Sequence, residues 1–258
     1  MAFQIIRHAF RMVFGNLGDA LKVSIGPYVI LILLALFATL IAAGIGSSQY
    51  SSRVMTSTNG LSMGVVIATL LVGLGGLFIS SWVAVSWHRF ILLEEYPGTL
   101  PQLSGRPIWP YVWRLMGYSL ILVAVALPVL FLLGNRGLSL ITSGGIVGNL
   151  VTILIAAGFG YLWFRMALAL PSVAVGAPIT LGQAWAASKG MSGTIFRVAL
   201  LLVGLYGIAS LVSLPIMALS PFLGGLLNIV LQWTVVMVGI SILTTLYGHL
   251  IEGRDVPD

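Results

Sequence analysis

Long stretches without a single charged residue divide this chain, and they dictate its solvent. No Asp, Glu, Lys or Arg occurs between Val198 and Ile251, and none between Val23 and Gln49. Hydrophobic residues make up 59% of the 258 positions and charged residues only 7%, so a water-soluble fold of this length has no way to hide the apolar surface. In lipid every backbone N–H and C=O must find its partner inside the segment, which leaves helices as the economical solution. The expected fold class is therefore all-α: a polytopic membrane helical bundle forming one integral membrane domain over 1–258.

A crossing needs roughly 20 apolar residues. Six runs qualify, at about 25–45, 61–93, 111–133, 146–170, 194–219 and 223–250. Pro27 falls in the first turn of its run, where a missing N–H costs nothing. Between the runs, Glu94 to Pro110 reads as a loop, because Pro97, Gly98, Pro101, Gly105, Pro107 and Pro110 interrupt any helix. Pro171 and Pro178 are expected to break the chain after the fourth span. Thr180-Leu181-Gly182-Gln183 matches a capping box, in which Thr and Gln satisfy the free N–H groups of a helix start. A short amphipathic helix is expected there, ending at Gly190. Pro215, Ser220-Pro221 and Gly224-Gly225 separate the last two spans.

The amino-terminal 22 residues read as an amphipathic helix. Phe3, Ile6, Phe10, Val13, Phe14, Leu17 and Leu21 recur at helical spacing, with Arg7, Arg11, Asp19 and Lys22 opposite. A Phe-rich face beside a cationic one suits the headgroup layer; the competing expectation is a helix packed on the rest of the protein. No compact apolar core with a small-residue cleavage site marks a removable signal, so the first span is expected to act as an uncleaved one.

Cations set the orientation. Arg7, Arg11, Lys22, Arg89, Arg106, Arg114, Arg165, Lys189, Arg197 and Arg254 fall on one side of the six-span arrangement and Arg53 and Arg136 on the other; together these are the chain's 12 basic residues. Basic flanks stay cytoplasmic, which is expected to place both termini on the cytoplasmic side of a bacterial cytoplasmic (inner) membrane. Trp82, Trp87, Trp109, Trp113, Trp163 and Trp185 gather towards the same face, as an interfacial indole belt would. The net charge of +6 is explained by this bias and by attraction to anionic lipid. The cations are too dispersed for nucleic acid. A threefold repeat of two-helix units is also suggested. The returning spans close in Trp87-His88-Arg89-Phe90, Trp163-Phe164-Arg165-Met166 and Tyr247-Gly248-His249-Leu250.

Few residues offer chemistry. The chain has no cysteine, which removes thiolate metal sites and Cys nucleophiles. Asp19, Glu94, Glu95, Glu252, Asp255 and Asp258 all lie at or beyond span ends, so no carboxylate sits at mid-membrane to couple an ion. His8, His88 and His249 lack the spacing of a metalloprotease motif, and they read as snorkelling imidazoles; their meeting around a metal or haem is the sharper alternative. No enzyme activity, metal or cofactor is expected. His88, Arg89, Arg165, Arg114 and Arg197 are the candidate contacts for a lipid headgroup or other anion, weighed against snorkelling and topology control. The many glycines within spans allow close helix approach, either internally or to a partner.

Phe10 to Asn16 before the first span, Ser86-Trp87-His88-Arg89-Phe90 closing the second, and Leu170-Pro171-Ser172 with Gly182-Gln183-Ala184-Trp185 before the fifth form a pattern. It resembles uncharacterised multi-pass bacterial inner-membrane proteins akin to the membrane region of some glycerophosphodiester phosphodiesterases. The hydrolase half of those enzymes is not expected among these 258 residues, so the resemblance implies neither phosphodiesterase activity nor a catalytic residue. The expected role is an accessory or scaffold protein associating with membrane lipids or a larger membrane complex. The alternative is a transporter or flippase for a small or amphiphilic solute.

Overall fold

The computed structural model describes residues 1–50, 63–98, 100–142 and 145–255. Among them helix dominates and no strand occurs. Six helices are long and apolar enough to cross a membrane, as the hydropathy runs require. A short helix α1 (Ala2–Gly15) leads into α2 (Leu17–Tyr50), which pairs with α3 (Met63–Leu93). A second hairpin joins α4 (Ile108–Thr142) to α5 (Ile146–Ala167), continued by the short α6 (Ala169–Ala174). After α7 (Leu181–Ala187) and one 3-10 turn, α8 (Ser192–Leu219) and α9 (Pro221–Leu250) form the third hairpin. Three hairpins fit the two-helix unit, but only the first and third are preceded by short helices. A loop with a turn at Ser104–Gly105 precedes the second.

Several boundaries differ from the sequence expectation for one shared reason. Proline is harmless in a first turn, where no N–H partner is needed. Pro110 therefore lies inside the opening turn of α4, and the loop ends at Pro107. Pro171 lies in the opening turn of α6, so the fourth span bends at Leu168, before the proline. Pro221 is the first residue of α9, where the Ser220 hydroxyl accepts from the Leu223 N–H at 3.4 Å. The capping box at Thr180 and Gln183 forms as expected. Ser47 to Asn59 is expected from its many Ser and Thr to be a polar connector; α2 continues through its first residues to Tyr50, and the remainder, with Arg53 and the start of the second span at 61, lies outside the described residues.

Burial is uneven along the helices. On α3, Val65, Val66, Leu70, Leu71 and Leu74 are exposed, whereas Ile79 and every residue from Ser81 to Val85 are buried. The same change occurs on α4 near Tyr118, on α5 near Tyr161, on α8 near Ala199 and on α9 near Met237. The end bearing the termini is thus a packed base, built from α1, α6 and the inner thirds of the long helices. Beyond it the helices extend as limbs with apolar surface outward. With 31 residues, α3 is about 46 Å long. That exceeds a hydrocarbon layer of about 30 Å, so the base has room to stand in the headgroup layer and beyond. Apart from Arg136, which follows the Gly134 kink at the far end of α4, the described charged residues all belong to the base or the segments around it.

The amino-terminal helix is shorter than the expected 22 residues. It stops at Gly15, and Asn16 turns the chain while its side-chain amide donates to the Met12 carbonyl at 2.9 Å. Ile5, Ile6, Ala9, Met12 and Val13 are buried, with α9 and α8 the main neighbours of the helix. Phe3, Phe14 and Leu17 remain exposed beside Arg7 and Arg11. One face thus follows the packed alternative, and the aromatic–cationic stripe stays uncovered.

A repeated device ties the base together. A hydroxyl donates to a carbonyl three or four residues earlier on its own helix, and its oxygen accepts from another element. Ser24 donates to Ala20 and accepts from Trp233 Nε1 at 2.8 Å. Ser241 donates to Met237 and accepts from Trp87 Nε1 at 2.8 Å. Trp87 is therefore a core residue with its N–H satisfied, and Trp82 is also buried. Neither joins the indole belt that the sequence suggested; Trp109, Trp113 and Trp185 are exposed as that belt requires.

Candidate functional site

The five candidate anion contacts do not form one site. His88 is fully buried within the base. Its Nδ1 lies 2.9 Å from Thr244 Oγ1 and its Nε2 3.2 Å from the Tyr111 hydroxyl. Thr244 already donates to the Ile240 carbonyl. Its oxygen must therefore accept from His88 Nδ1–H, which leaves Nε2 to accept the Tyr111 proton. The expected snorkelling is thus corrected for His88: its ring joins α3, α4 and α9.

Arg165 is also buried, at 5% exposure. It donates to the Ser188 hydroxyl, the Tyr161 hydroxyl and the Trp185 carbonyl at 2.7 to 2.9 Å. Its guanidinium lies 3.7 Å from the Trp185 ring centroid, a cation–π distance. The arginine thereby clamps α5 to α7. Arg114 donates to the Ile179 carbonyl at 2.7 Å, holding the segment before α7 against α4. Arg197 is exposed on the first turns of α8.

Arg89 differs, because the structure gives it a cationic neighbour that sequence reasoning did not single out. The helix α3 ends with Glu94 in the left-handed region, at φ 56°. That turn swings Glu95 back onto Arg89, which donates from Nε and a terminal nitrogen to the two carboxylate oxygens at 3.0 and 2.6 Å. Such a forked pair fixes both distance and plane. The third Arg89 contact is to the Ala174 carbonyl at 2.7 Å, at the end of α6. Arg106 then closes on the same Glu95 carboxylate and reaches Gln102 at 3.3 Å. Two guanidinium groups thus share one carboxylate beside a cavity of about 50 Å³, lined also by Ser86, Tyr96 and Gln102. The available signal was the short range from Glu94 to Arg106, where two acids and a cation punctuate a Pro/Gly-rich stretch.

Hydrogen bonds from Arg89 hold Glu95 below the usual carboxylate range; partial burial opposes this and Arg106 reinforces it. A carboxyl whose folded pKa is depressed stabilises the fold above its unfolded pKa and loses that contribution as pH falls through the folded value. Thermal unfolding in detergent should therefore show an added acid limb below about pH 4.5, beyond the decline that keeping His8 and His88 uncharged in the fold produces from about pH 6.5 downward. Glu95→Gln should flatten that acid limb. An unchanged limb in Glu95→Gln would remove the triad as its cause.

A second cavity, of about 80 Å³, lies where α1, α3, α9 and the following tail meet. His8, His249, Arg254 and Asp255 line it, while His88 does not, so the three histidines do not converge. Burial, then the Arg11 charge, lowers the pKa of His8. Among the described residues no three His, Cys, Asp or Glu side chains gather at metal-binding range. Arg254 donates to the Leu92 carbonyl at 3.2 Å and pairs with Glu252 at 2.6 Å, tying the tail to the end of α3.

No family model, curated protein or solved structure matches this chain.

Proposed function

We propose that this protein is a non-catalytic accessory or scaffold protein of a bacterial cytoplasmic membrane, with both termini in the cytoplasm. It associates there with lipid or with a larger membrane protein complex. The contrast between base and limbs carries this reading. Arg165, His88 and Trp87 bind helix to helix and Arg114 holds the segment before α7, which occupies these polar groups in structural work. The limbs meanwhile expose Phe131, Leu132, Ile208, Leu211, Val212 and many similar side chains. Without water there is no hydrophobic drive between lipid-facing helices, so such surface is free for lipid or for a helix of complementary shape.

Photocrosslinking groups placed at Leu127 and Leu211, followed by purification in a mild detergent, test the reading. The expected result is one defined membrane protein partner linked through the limbs in a fixed ratio. Isolation of a lone particle, with crosslinks to lipid alone, removes the complex and leaves only lipid association.

One observation favours the transporter or flippase alternative: among the described residues α3 is largely enclosed within the base and more exposed beyond it. Faster movement of a headgroup-labelled lipid between leaflets of reconstituted vesicles, relative to protein-free vesicles, would replace the accessory reading with this one.

A further inference from the structure

We infer that the cavity beside Arg89 and Arg106 holds the phosphate of an anionic phospholipid, with its acyl chains on the adjoining apolar surface. The inference deepens the lipid-associated reading above and names its lipid class and place. Three observations meet here. The first is charge: two guanidinium groups share the single Glu95 carboxylate, and no other acid lines the cavity. The cluster therefore keeps one net positive charge, which a phosphodiester monoanion neutralises. Arg106 is the available donor. Both arginines pair with Glu95, but the further contact of Arg106, to Gln102, is long at 3.3 Å, whereas Arg89 is also held by the Ala174 carbonyl at 2.7 Å.

The second observation is depth. Leu100, two residues beyond the cavity-lining Gly98, lies against Gly26 so closely that a side chain there would collide with it. Gly26 stands where the uncharged run of α2 begins. The cavity therefore lies at the level where headgroups give way to hydrocarbon. The third is the rim. Tyr96, Leu100 and Leu103 are exposed. Aromatic and aliphatic groups around a cationic cavity match an amphiphile better than a free inorganic ion. Ser86 and Gln102 complete the polar lining.

Native mass spectrometry of the purified full chain, titrated with phosphatidylglycerol, phosphatidylcholine and inorganic phosphate, tests this. Phosphatidylglycerol should form a single strong adduct, phosphatidylcholine a weaker one, and millimolar inorganic phosphate should not displace the lipid. Arg106→Gln should weaken phosphatidylglycerol binding about five- to tenfold, the scale of one cation at a lipid surface. Arg197→Gln, an exposed cation at the same end, should change it less than about twofold. Ser86→Ala leaves the three charges in place and should weaken binding about two- to threefold, which keeps the test valid if Arg106→Gln misfolds.

Equal losses in the Arg106 and Arg197 variants would mean diffuse surface charge and overturn the inference. So would displacement by inorganic phosphate, or unchanged binding in both cavity variants. Loss of lipid selectivity with a partner still crosslinked through Leu127 and Leu211 would reject this inference alone and leave the accessory reading standing.

Discussion

Arg165→Met should destabilise the protein by about 3–4 kcal/mol, the largest effect expected from one substitution here. Methionine fills much of the volume but donates nothing. The Ser188 hydroxyl, the Tyr161 hydroxyl and the Trp185 carbonyl would each lose the charged donor that now sits within 2.9 Å. The stacking over the Trp185 ring would vanish with them. Arg165→Lys should recover less than half of the loss, because one ammonium cannot serve three acceptors spread around a planar fork. Denaturant titration in a fixed detergent, followed by tryptophan fluorescence, reads both. Lysine performing as well as arginine would show that charge alone matters and that the clamp geometry does not.

His88→Leu is expected to cost about 2–3 kcal/mol. It leaves the Tyr111 hydroxyl buried without an acceptor and the Thr244 oxygen without its donor. Tyr111→Phe should cost about 1 kcal/mol, since only Nε2 of the imidazole loses its partner. The double variant should be less destabilised than the two singles combined, by about 1 kcal/mol, because the second change removes the group stranded by the first. Simple additivity in that cycle would show that Tyr111 and His88 are not coupled through this hydrogen bond. Thermal unfolding of all four proteins in one detergent supplies the comparison.

The number and approximate extent of the membrane helices were legible because they depend on local composition. An uncharged run of sufficient reach carries its own instruction, and hydroxyl-rich or Pro/Gly-rich stretches mark where it stops. What escaped depends on neighbours distant in the chain. Sequence alone assigns Trp82 and Trp87 to the belt, because indole rings favour the headgroup layer. Burial of Trp87 became affordable only through Ser241, 154 positions away. His88 escaped for the same reason, its partners lying on two other helices. Arg106 stood apart from Arg89 until the left-handed turn at Glu94 brought Glu95 between them. Proline misled by a turn at Pro110 and Pro171, because a helix breaker and a helix starter look alike until the direction of the helix is known. The base was not anticipated at all: hydropathy reports that a helix is apolar, and is silent on whether lipid or protein covers it.

The pairing of α1 with α9 bears on how this molecule is made. Ser24 of α2, the helix that follows α1, hydrogen-bonds Trp233 of α9 across 209 residues of sequence. When the first transmembrane segment leaves the ribosome, the surface meant for Ile5, Ala9 and Val13 does not yet exist. The amino-terminal helix must wait, its oily side sheltered by bilayer or chaperone, until the sixth segment has been threaded. Insertion of the hairpins can proceed one at a time, but final assembly is a single late event in which first and last meet. Nascent chains halted before α9 should accordingly remain open to protease within residues 2–15, and complete ones should not.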